Sequence, residues 1–551
     1  MRYLAPLPKG ATSAYARLPK SFNATGASIP APIEGWDAVS PISAMSPKRA
    51  IRLINWFPQP DWVEPRKGFT RHSDTNTGLP VETIAAYHGL TEDRLFAWSD
   101  GSIFDVTNRS DATVTTVTGL SNSRAQYINF AGTGGNFLWT CNGADAPNVY
   151  DGSSWAQAAI TGDITGPDIV DVEAFKNRLW FVGNNSSDAY YLDVDLIQGA
   201  ATAFPLGGLW TLGGYLTSIG TWSVDAGNGP QDYIAFVSSR GQVAIYGGSD
   251  PEDATDFKLV GVFSLGAPIG RRCLTRVGSD LAVISIDGVY PLSKAMIFER
   301  AAVVKATMTE RIQRVMNQSA RLYGDHFGWQ LISYPRGTRA ILNVPIAENS
   351  EQQQYVMNTL NGAWCQFTGM NANCWELLLD DPYFGGNDGI VYQADVGSQD
   401  HNAILRADML TAFNYFNMRG NQKRWTMCRP LITTDQQVTP GLALNVDFKT
   451  DAPVSVQSTT ESIGARWDES LWDESEWGGE VTTQSIWQSV MGIGYCASIR
   501  MVVDINPSGL QDSRWGSALW GINLWDGEVP GQGLTLQVNS FDILMEKGAF
   551  V

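Results

Sequence analysis

The sequence predicts a mainly β protein organised around a β-propeller, and three observations support this fold class. Short apolar runs alternate with Asn-Gly and Asp-Gly pairs, which are strong hairpin signals because both residues tolerate positive φ. The chain contains 20 Trp and 55 Gly residues, which suit pleated surfaces and tight turns respectively. Comparable hairpins recur roughly every 45–50 residues, the spacing typical of propeller blades. The complete expectation is a β-propeller with an extended Pro-rich N-terminal arm, a helical insertion and a C-terminal β-sandwich-like domain.

Composition limits the functions that the chain can have. At 551 residues it exceeds one ordinary core, so two or three domains are expected. Hydrophobic residues make up 44% and charged residues 17%, which excludes a disordered protein. The net charge of −18 argues against binding nucleic acid by neutralising its phosphates. It is compatible with an acidic wall that repels a duplex and lets it pass.

Residues 1–75 are predicted to form the extended arm. Frequent prolines exclude long helices and central strands here. A segment of this length without its own core is expected to lie on the body of its own chain or on a neighbouring subunit. Its run INWFPQPDWVEPRKGF, from Ile54 to Phe69, is aromatic enough to be buried. The candidate residues of this arm for a contact with another subunit or an adaptor are Trp56, Phe57, Trp62 and Arg66.

Residues 76–424 are predicted to form the propeller, with five to seven blades. The stretch from Ile332 to Asp395 shows the pattern most clearly, with hairpin turns expected at Asn361-Gly362 and around Asp388-Gly389. Further turns are expected at Asp100-Gly101, Asp151-Gly152, Arg240-Gly241 and Asp287-Gly288.

One interval inside the propeller is predicted to be helical. Residues 305–323 place Ile312, Met316 and Ala320 near helical spacing, with Thr307 or Thr309 as candidate N-caps. We expect an insertion that projects from the propeller and has a structural or subunit-contact role.

Residues 425–551 alternate apolar and polar positions in the manner of a β-sandwich. Two tryptophan series interrupt these strands at five-residue spacing, which fits neither a strand nor a helix. They are interpreted as successive turns that each place an indole in a core or an interface, with stacking on sugars as the alternative. The first series supplies three further candidate interface residues, Trp467, Trp472 and Trp477, and the second contains Trp515, Trp520 and Trp525.

Six cysteines without CxxC spacing indicate free buried thiols, with a Cys365–Cys374 disulfide as the alternative. The N-terminus lacks the apolar core of a signal peptide, and no apolar run approaches the ~20 residues of a membrane span. A soluble protein made in the cytosol is therefore expected.

No catalytic constellation is recognisable. The four histidines form no metal-binding motif, and nucleophile elbows and phosphate-binding loops are missing. With 56 acidic residues, a pair of carboxylates carries no information about glycosidase chemistry. We therefore predict no enzyme, no catalytic residues, no cofactor and no metal.

Four segments in this order give the chain a resemblance to a known family. They are INWFPQPDWVEPRKGF; YVMNTLNGAWCQFTG with PYFGGNDGIVYQAD; RWDESLWDESEW; and SFDILMEKGAF. The chain resembles the tail nozzle proteins of short-tailed bacteriophages, which include the tail tubular B proteins and the packaged-DNA stabilisation proteins.

The resemblance implies a structural virion protein in the phage tail, assembled in the cytoplasm of the host bacterium. It implies a homo-oligomeric, hexameric ring below the head-to-tail adaptor protein, which retains the packaged genome and lets it exit at ejection. Further implied partners are tail fibres or spikes, and genomic DNA that passes without sequence-specific binding. The alternative is a receptor-binding, glycan-binding or glycan-degrading propeller.

Overall fold

A computed structural model describes residues 24–110, 113–225, 230–296, 307–401, 403–435, 437–460, 481–506 and 534–550. The two tryptophan series, Trp467 to Trp477 and Trp515 to Trp525, lie outside these ranges, so the interpretations placed on them stay predictions.

The N-terminal segment consists of short strands. They are β1 (Ala24–Pro30), β2 (Ala50–Ile54), β3 (Trp56–Pro58), β4 (Val63–Pro65) and β5 (Phe69–Asp74).

Four blades follow as separate sheets. The first blade contains β6 (Val81–His88), β7 (Asp93–Ser99), β8 (Ser102–Asp105) and β9 (Val114–Val117). The second contains β10 (Gln126–Gly132), β11 (Gly135–Cys141), β12 (Asn148–Tyr150) and β13 (Trp155–Gln157). The third contains β14 (Ile160–Gly162), β15 (Ile169–Phe175), β16 (Arg178–Gly183), β17 (Ala189–Tyr191) and β18 (Gly199–Phe204). The fourth contains β19 (Leu216–Asp225), β20 (Pro230–Ser238), β21 (Gln242–Gly247) and β22 (Lys258–Ser264).

The fifth blade and the helices come next. The fifth blade contains β23 (Leu274–Val277), β24 (Asp280–Ser285) and β25 (Gly288–Pro291). The helices are α1 (Leu292–Ala295) and α2 (Gln313–Tyr323), with 3-10 turns at Gly166–Asp168, Gly207–Leu209 and Glu310–Ile312.

The rest of the chain is again β-structure. Seven strands lead to the end of the propeller: β26 (Gln330–Tyr334), β27 (Arg339–Ala347), β28 (Glu351–Asn358), β29 (Trp364–Phe367), β30 (Cys374–Leu378), β31 (Asp381–Gly385) and β32 (Ile390–Ala394). The C-terminal strands are β33 (Leu405–Thr411), β34 (Asn421–Thr434), β35 (Gly441–Val446), β36 (Ser458–Thr460), β37 (Thr482–Gln484), β38 (Gln488–Gly494), β39 (Ala497–Asn506) and β40 (Leu536–Phe550).

The blades are arranged as a β-propeller, as predicted. In the described chain six blades are separate sheets, the sixth being formed by β30, β31, β32 and β5. The innermost strands β6, β10, β15, β19 and β23 contact each other in turn, and β30 contacts β6. Between β23 and β30 the ring is continued by β26, which contacts both. Strands β26–β29 thus fill a seventh position and belong to a larger, nine-stranded sheet.

The predicted hairpin turns occur where the sequence indicates them. Asp100 and Gly101 join β7 to β8 with φ of 49° and 64°. Gly362 joins β28 to β29 with φ 68°, and Gly389 joins β31 to β32 with φ 84°. Because L-residues rarely adopt this backbone region, Gly and Asp at these points set where each strand ends.

A second module packs two sheets against each other. One sheet places β34 between β40 and the pair β37 and β38, and β1 and β4 add to β40. The facing sheet consists of β2, β33, β39, β35 and β36, and continues through β2 into the propeller strand β29. Trp425 and Ile543 from the first sheet share one core with Met409 and Met501 from the second. The boundary predicted at residue 425 falls inside β34.

The N-terminal segment is woven into both modules from residue 24 onward. Strands β1–β4 belong to the second module, whereas β5 pairs with β32 and completes the sixth blade. Of the two expected supports for this segment, the described part therefore lies on the body of its own chain.

Helix α2 confirms the predicted helical interval and corrects its expected position. Ile312 and Met316 are fully buried in the main core, and Ser319 shares a 2.8 Å hydrogen bond with the Tyr355 hydroxyl of β28. The helix therefore does not project from the propeller. Thr309 precedes the 3-10 turn, but its hydroxyl accepts the Val289 N–H rather than capping the helix.

All six cysteines are free and buried, so Cys365 and Cys374 do not form a disulfide in this structure. Among the described helices, none is long and apolar enough to cross a bilayer.

Candidate functional site: the propeller axis and two exposed strands

The described candidate interface residues differ in their accessibility. Trp56 and Phe57 are fully buried, and the Phe57 ring packs against Phe367 with centroids 6.4 Å apart. Arg66 is also buried, whereas Trp62 is half-buried. The first three side chains thus stabilise the fold. Subunit contact stays a prediction, with Trp62 as the member of the described set that a partner can reach.

Arg66 holds the junction between the two modules. Its guanidinium donates to both Asp400 carboxylate oxygens, at 2.7 and 2.5 Å. It also donates to the Asn55 side chain at 2.9 Å and to the Thr368 carbonyl at 2.7 Å. Such a two-pronged, fully bonded arginine is the arrangement in which a buried charge is tolerated. Its role is architectural.

Side chains form hydrogen bonds across the propeller axis. Arg272, just before β23 in the fifth blade, donates to the Thr83 hydroxyl of the first blade at 2.7 Å. It also donates to the Ala125 carbonyl, next to the second blade, at 3.0 Å. Tyr127 of β10 donates its hydroxyl proton to Glu376 of β30. These bonds join blades that are not neighbours, so they cross the axis.

Two arginine guanidinium groups pack on one aromatic ring near this axis. The guanidinium carbons of Arg124 and Arg272 lie 4.4 and 5.1 Å from the centre of the Phe327 ring. Arg124 is neutralised by Glu82 at 2.9 Å and by Glu348 at 2.5 Å. The charge of Arg124 is thus paired, and side-chain hydrogen bonds between non-neighbouring blades cross the axis of a single chain.

Two carboxyl groups on β15 occupy an unusual environment. Asp171 is buried and accepts the Ser218 hydroxyl at 2.7 Å, and Glu173 accepts the Thr221 hydroxyl at 2.9 Å. Burial raises the pKa of Asp171 to about 6 and that of Glu173 to about 7, because desolvation disfavours the charged form. Arg276 interacts electrostatically with Glu173 and partly opposes this rise in the pKa.

These groups do not form a recognisable catalytic or metal site. In the described ranges, no three His, Cys, Asp or Glu side chains are placed to hold a metal ion. The polar groups around Asp171 and Glu173 are engaged with each other, as expected for a buried network that holds blades together.

Strand β22 exposes an apolar edge of the propeller. It is the outermost strand of the fourth blade and pairs only with β21 in the described structure. Leu259, Val260 and Val262 are 42%, 47% and 37% exposed. An edge strand with unpaired backbone groups and apolar side chains is a surface to which another chain can add.

Strand β38 exposes a second apolar edge, in the sandwich module. Its inward positions Gly492 and Gly494 lie so close to Val446 that an added Cβ would come within 2.6 and 2.2 Å of that side chain. The alternate residues Met491 and Ile493 therefore point outward and are 84% and 61% exposed. The sequence predicted neither edge. The run of apolar residues in β22 was the available signal. A strand with one solvent-exposed face normally alternates apolar and polar residues, and this run does not.

Comparison with known proteins adds only remote structural likenesses. No protein-family model and no curated protein sequence matches the chain. A solved structure of BBS1N in complex with ARL6DN is 11% identical, with 60% of this chain and 97% of that chain covered and a TM-score of 0.37. YCF48 bound to D1 peptide is 10% identical, with 59% and 94% covered and a TM-score of 0.35. The WD40 beta propeller domain of Doa1 is 10% identical, with 59% and 96% covered and a TM-score of 0.35. Likenesses this remote carry no argument about function.

Proposed function

We propose that this chain is a structural subunit of a tail nozzle ring in a short-tailed bacteriophage. The observation that carries the proposal furthest is the pair of exposed apolar strands, β22 on the propeller and β38 on the sandwich. The order of the four resembling segments supports the same function.

Two different exposed apolar strands on one subunit suit assembly into a ring. When one patch of a subunit binds a different patch of the next, the contact is heterologous, and it closes into a ring if the rotation between copies allows it. A single self-complementary patch would instead favour a dimer. Contact between β22 of one copy and β38 of the next would cover four exposed apolar side chains, Val260, Val262, Met491 and Ile493.

The DNA path lies between copies in this proposal. Because hydrogen bonds of Arg272, Tyr127 and Glu376 cross the axis of each propeller, we place the duplex in the centre of the assembled ring instead. The net charge of −18 per chain makes a wall that repels phosphates, which suits passage without sequence-specific binding. The ring would contact the adaptor protein above it, and tail fibres or spikes, in the virion assembled in the host cytoplasm.

The decisive experiment adds the purified protein to DNA-filled phage heads that carry the adaptor and lack this protein. Electron microscopy should show a ring-shaped extension, and the DNA should become resistant to release. A Val260→Lys, Val262→Lys variant and a Met491→Lys, Ile493→Lys variant should each lose the ring, because a charge at the contact costs desolvation.

The matched control is Leu360→Lys, which changes an exposed residue in the turn between β28 and β29, away from both edges. It should assemble like the unchanged protein. Particles that stay unchanged with wild-type protein would refute the nozzle function. Rings that form equally well with all variants would refute the role of the two strands. Binding of the protein to host glycans without a ring would favour the receptor-binding alternative.

A further inference from the structure

A groove of about 690 Å³ lies between the outer parts of the first and second blades. Its walls come from β7, β8 and β9 on one side and from β12 and β13 on the other. The volume falls within the ~300–1,000 Å³ typical of small-molecule sites. The ring assembly proposed above makes no use of it.

An aromatic cluster forms part of the groove. Phe96 and Tyr150 are buried with ring centroids 4.8 Å apart, and Trp155 lies 5.0 Å from Phe96 and 5.3 Å from Tyr150. Trp98 supports Trp155 from 6.0 Å in an edge-to-face arrangement. Trp155 is half-buried, and its buried indole N–H finds no acceptor in the described structure. The cluster gives the groove an aromatic platform, of which Trp155 is the half-buried member.

The charged groups of the groove are already paired. Arg94 donates to Asp105 at 3.0 Å and to Glu92 at 3.2 Å. Its guanidinium therefore offers little net attraction to an anion, and the described residues that line the groove include no unpaired carboxylate to attract a cation. This balance favours an uncharged ligand.

The remaining polar groups both donate and accept hydrogen bonds. Side-chain amides of Asn148 and Gln157 and hydroxyls of Tyr150 and Ser154 line the same space. Gln157 is exposed and makes no side-chain hydrogen bond within the described residues. Amides and hydroxyls beside an aromatic platform match the hydroxyl groups and apolar ring faces of a sugar.

An extended peptide fits the groove less well. Strands β9 and β13 have four and three residues, so their edges offer a peptide only a short ladder of backbone hydrogen bonds. Directly after β13, the Ala158 N–H is already bonded to the Pro147 carbonyl at 2.9 Å. Sequence reasoning placed the sugar alternative on the two tryptophan series and did not single out this surface.

We propose that the groove between the first two blades binds a neutral glycan, with Trp155 as the stacking residue and Gln157 as a hydrogen-bonding residue at its rim. This site does not depend on the ring function. The proposed ring contacts use β22 and β38, and neither strand lines the groove.

The test uses a printed array of neutral bacterial and plant oligosaccharides, followed by titration calorimetry and saturation-transfer NMR with the strongest one. Wild-type protein should bind at least one neutral glycan, with the NMR transfer greatest to protons on one face of a sugar ring. Trp155→Ala should weaken binding by about tenfold or more, and Gln157→Ala severalfold. Trp62→Ala, which changes a half-buried tryptophan of the N-terminal segment, should leave the affinity unchanged.

Two results would overturn the proposal. One is that no neutral glycan binds, whether or not charged glycans or peptides do. The other is that binding survives both groove substitutions. Gln157 is exposed, so its variant reports on the groove even if Trp155→Ala disturbs folding. Add-back to phage heads is scored separately, so a failed glycan site and a failed ring remain distinguishable.

Discussion

Arg66 and Asp400 form an ion pair at the junction of the two modules, and both side chains are almost completely buried. Asp400→Ala should lower the free energy of unfolding by about 3–5 kcal/mol, since it leaves a guanidinium charge buried without its counter-ion. Urea denaturation followed by tryptophan fluorescence measures the change. Asn55 and Thr368 would still accept hydrogen bonds from Arg66, but neither neutralises its charge.

The comparison pair for this prediction is Arg336 with Asp381, whose side chains are 63% and 38% exposed. Arg336→Ala should change stability by about 1 kcal/mol or less, because an exposed pair gains little from its attraction. Equal losses in the two variants would show that burial of the Arg66 pair has no special weight.

At the scale of an element, strand β15 makes stability depend on pH. The pKa values of Asp171 and Glu173, about 6 and about 7 in the folded chain, lie above those of unfolded carboxyl groups, near 4. The folded state therefore binds protons more tightly. The stabilisation is complete below pH 4 and is lost as pH rises from about 4 to 7, by about 1.4 kcal/mol for each unit of pKa difference.

Calorimetric melting between pH 4 and pH 8 tests this dependence. The Asp171→Asn, Glu173→Gln variant should lose less stability than the wild type over that interval, because neither amide can ionise. The control Glu351→Gln, at the exposed start of β28, should follow the wild-type curve. Parallel curves for all three proteins would contradict the assignment.

Elements were predictable where local chemistry specifies them. The Asp100-Gly101, Asn361-Gly362 and Asp388-Gly389 pairs predicted their hairpins, because positive φ is a local demand on the chain. Helix α2 was predictable from its spacing, but its burial was not, since Ser319 bonds to Tyr355 through a contact between distant segments. The environment of Asp171 could not be predicted from the sequence for the same reason. Its partner Ser218 belongs to the next blade, and no spacing rule connects them.

For the whole molecule, charge and apolar edges act in opposite directions. Copies that each carry −18 repel one another, whereas contact between β22 and β38 removes apolar surface from water. Raising the salt concentration from about 0.05 to 0.3 M should therefore strengthen ring formation, because screening weakens the repulsion. Analytical ultracentrifugation over that range measures it, with the Val260→Lys, Val262→Lys variant remaining monomeric at every concentration. Rings that dissociate as salt rises would point to an interface built from ion pairs.

The sixth blade has a consequence for how the chain is made. Its outer strand β5 is synthesised early, but its partner β32 follows more than 300 residues later. At ~5–20 residues per second, a ribosome needs tens of seconds to cover that distance. During this time, the backbone groups of β5 that later pair with β32 have no native partner, and the ring of blades stays open beside the growing chain. The propeller can therefore close only after synthesis has reached β32, when one of its earliest strands pairs with one of its last.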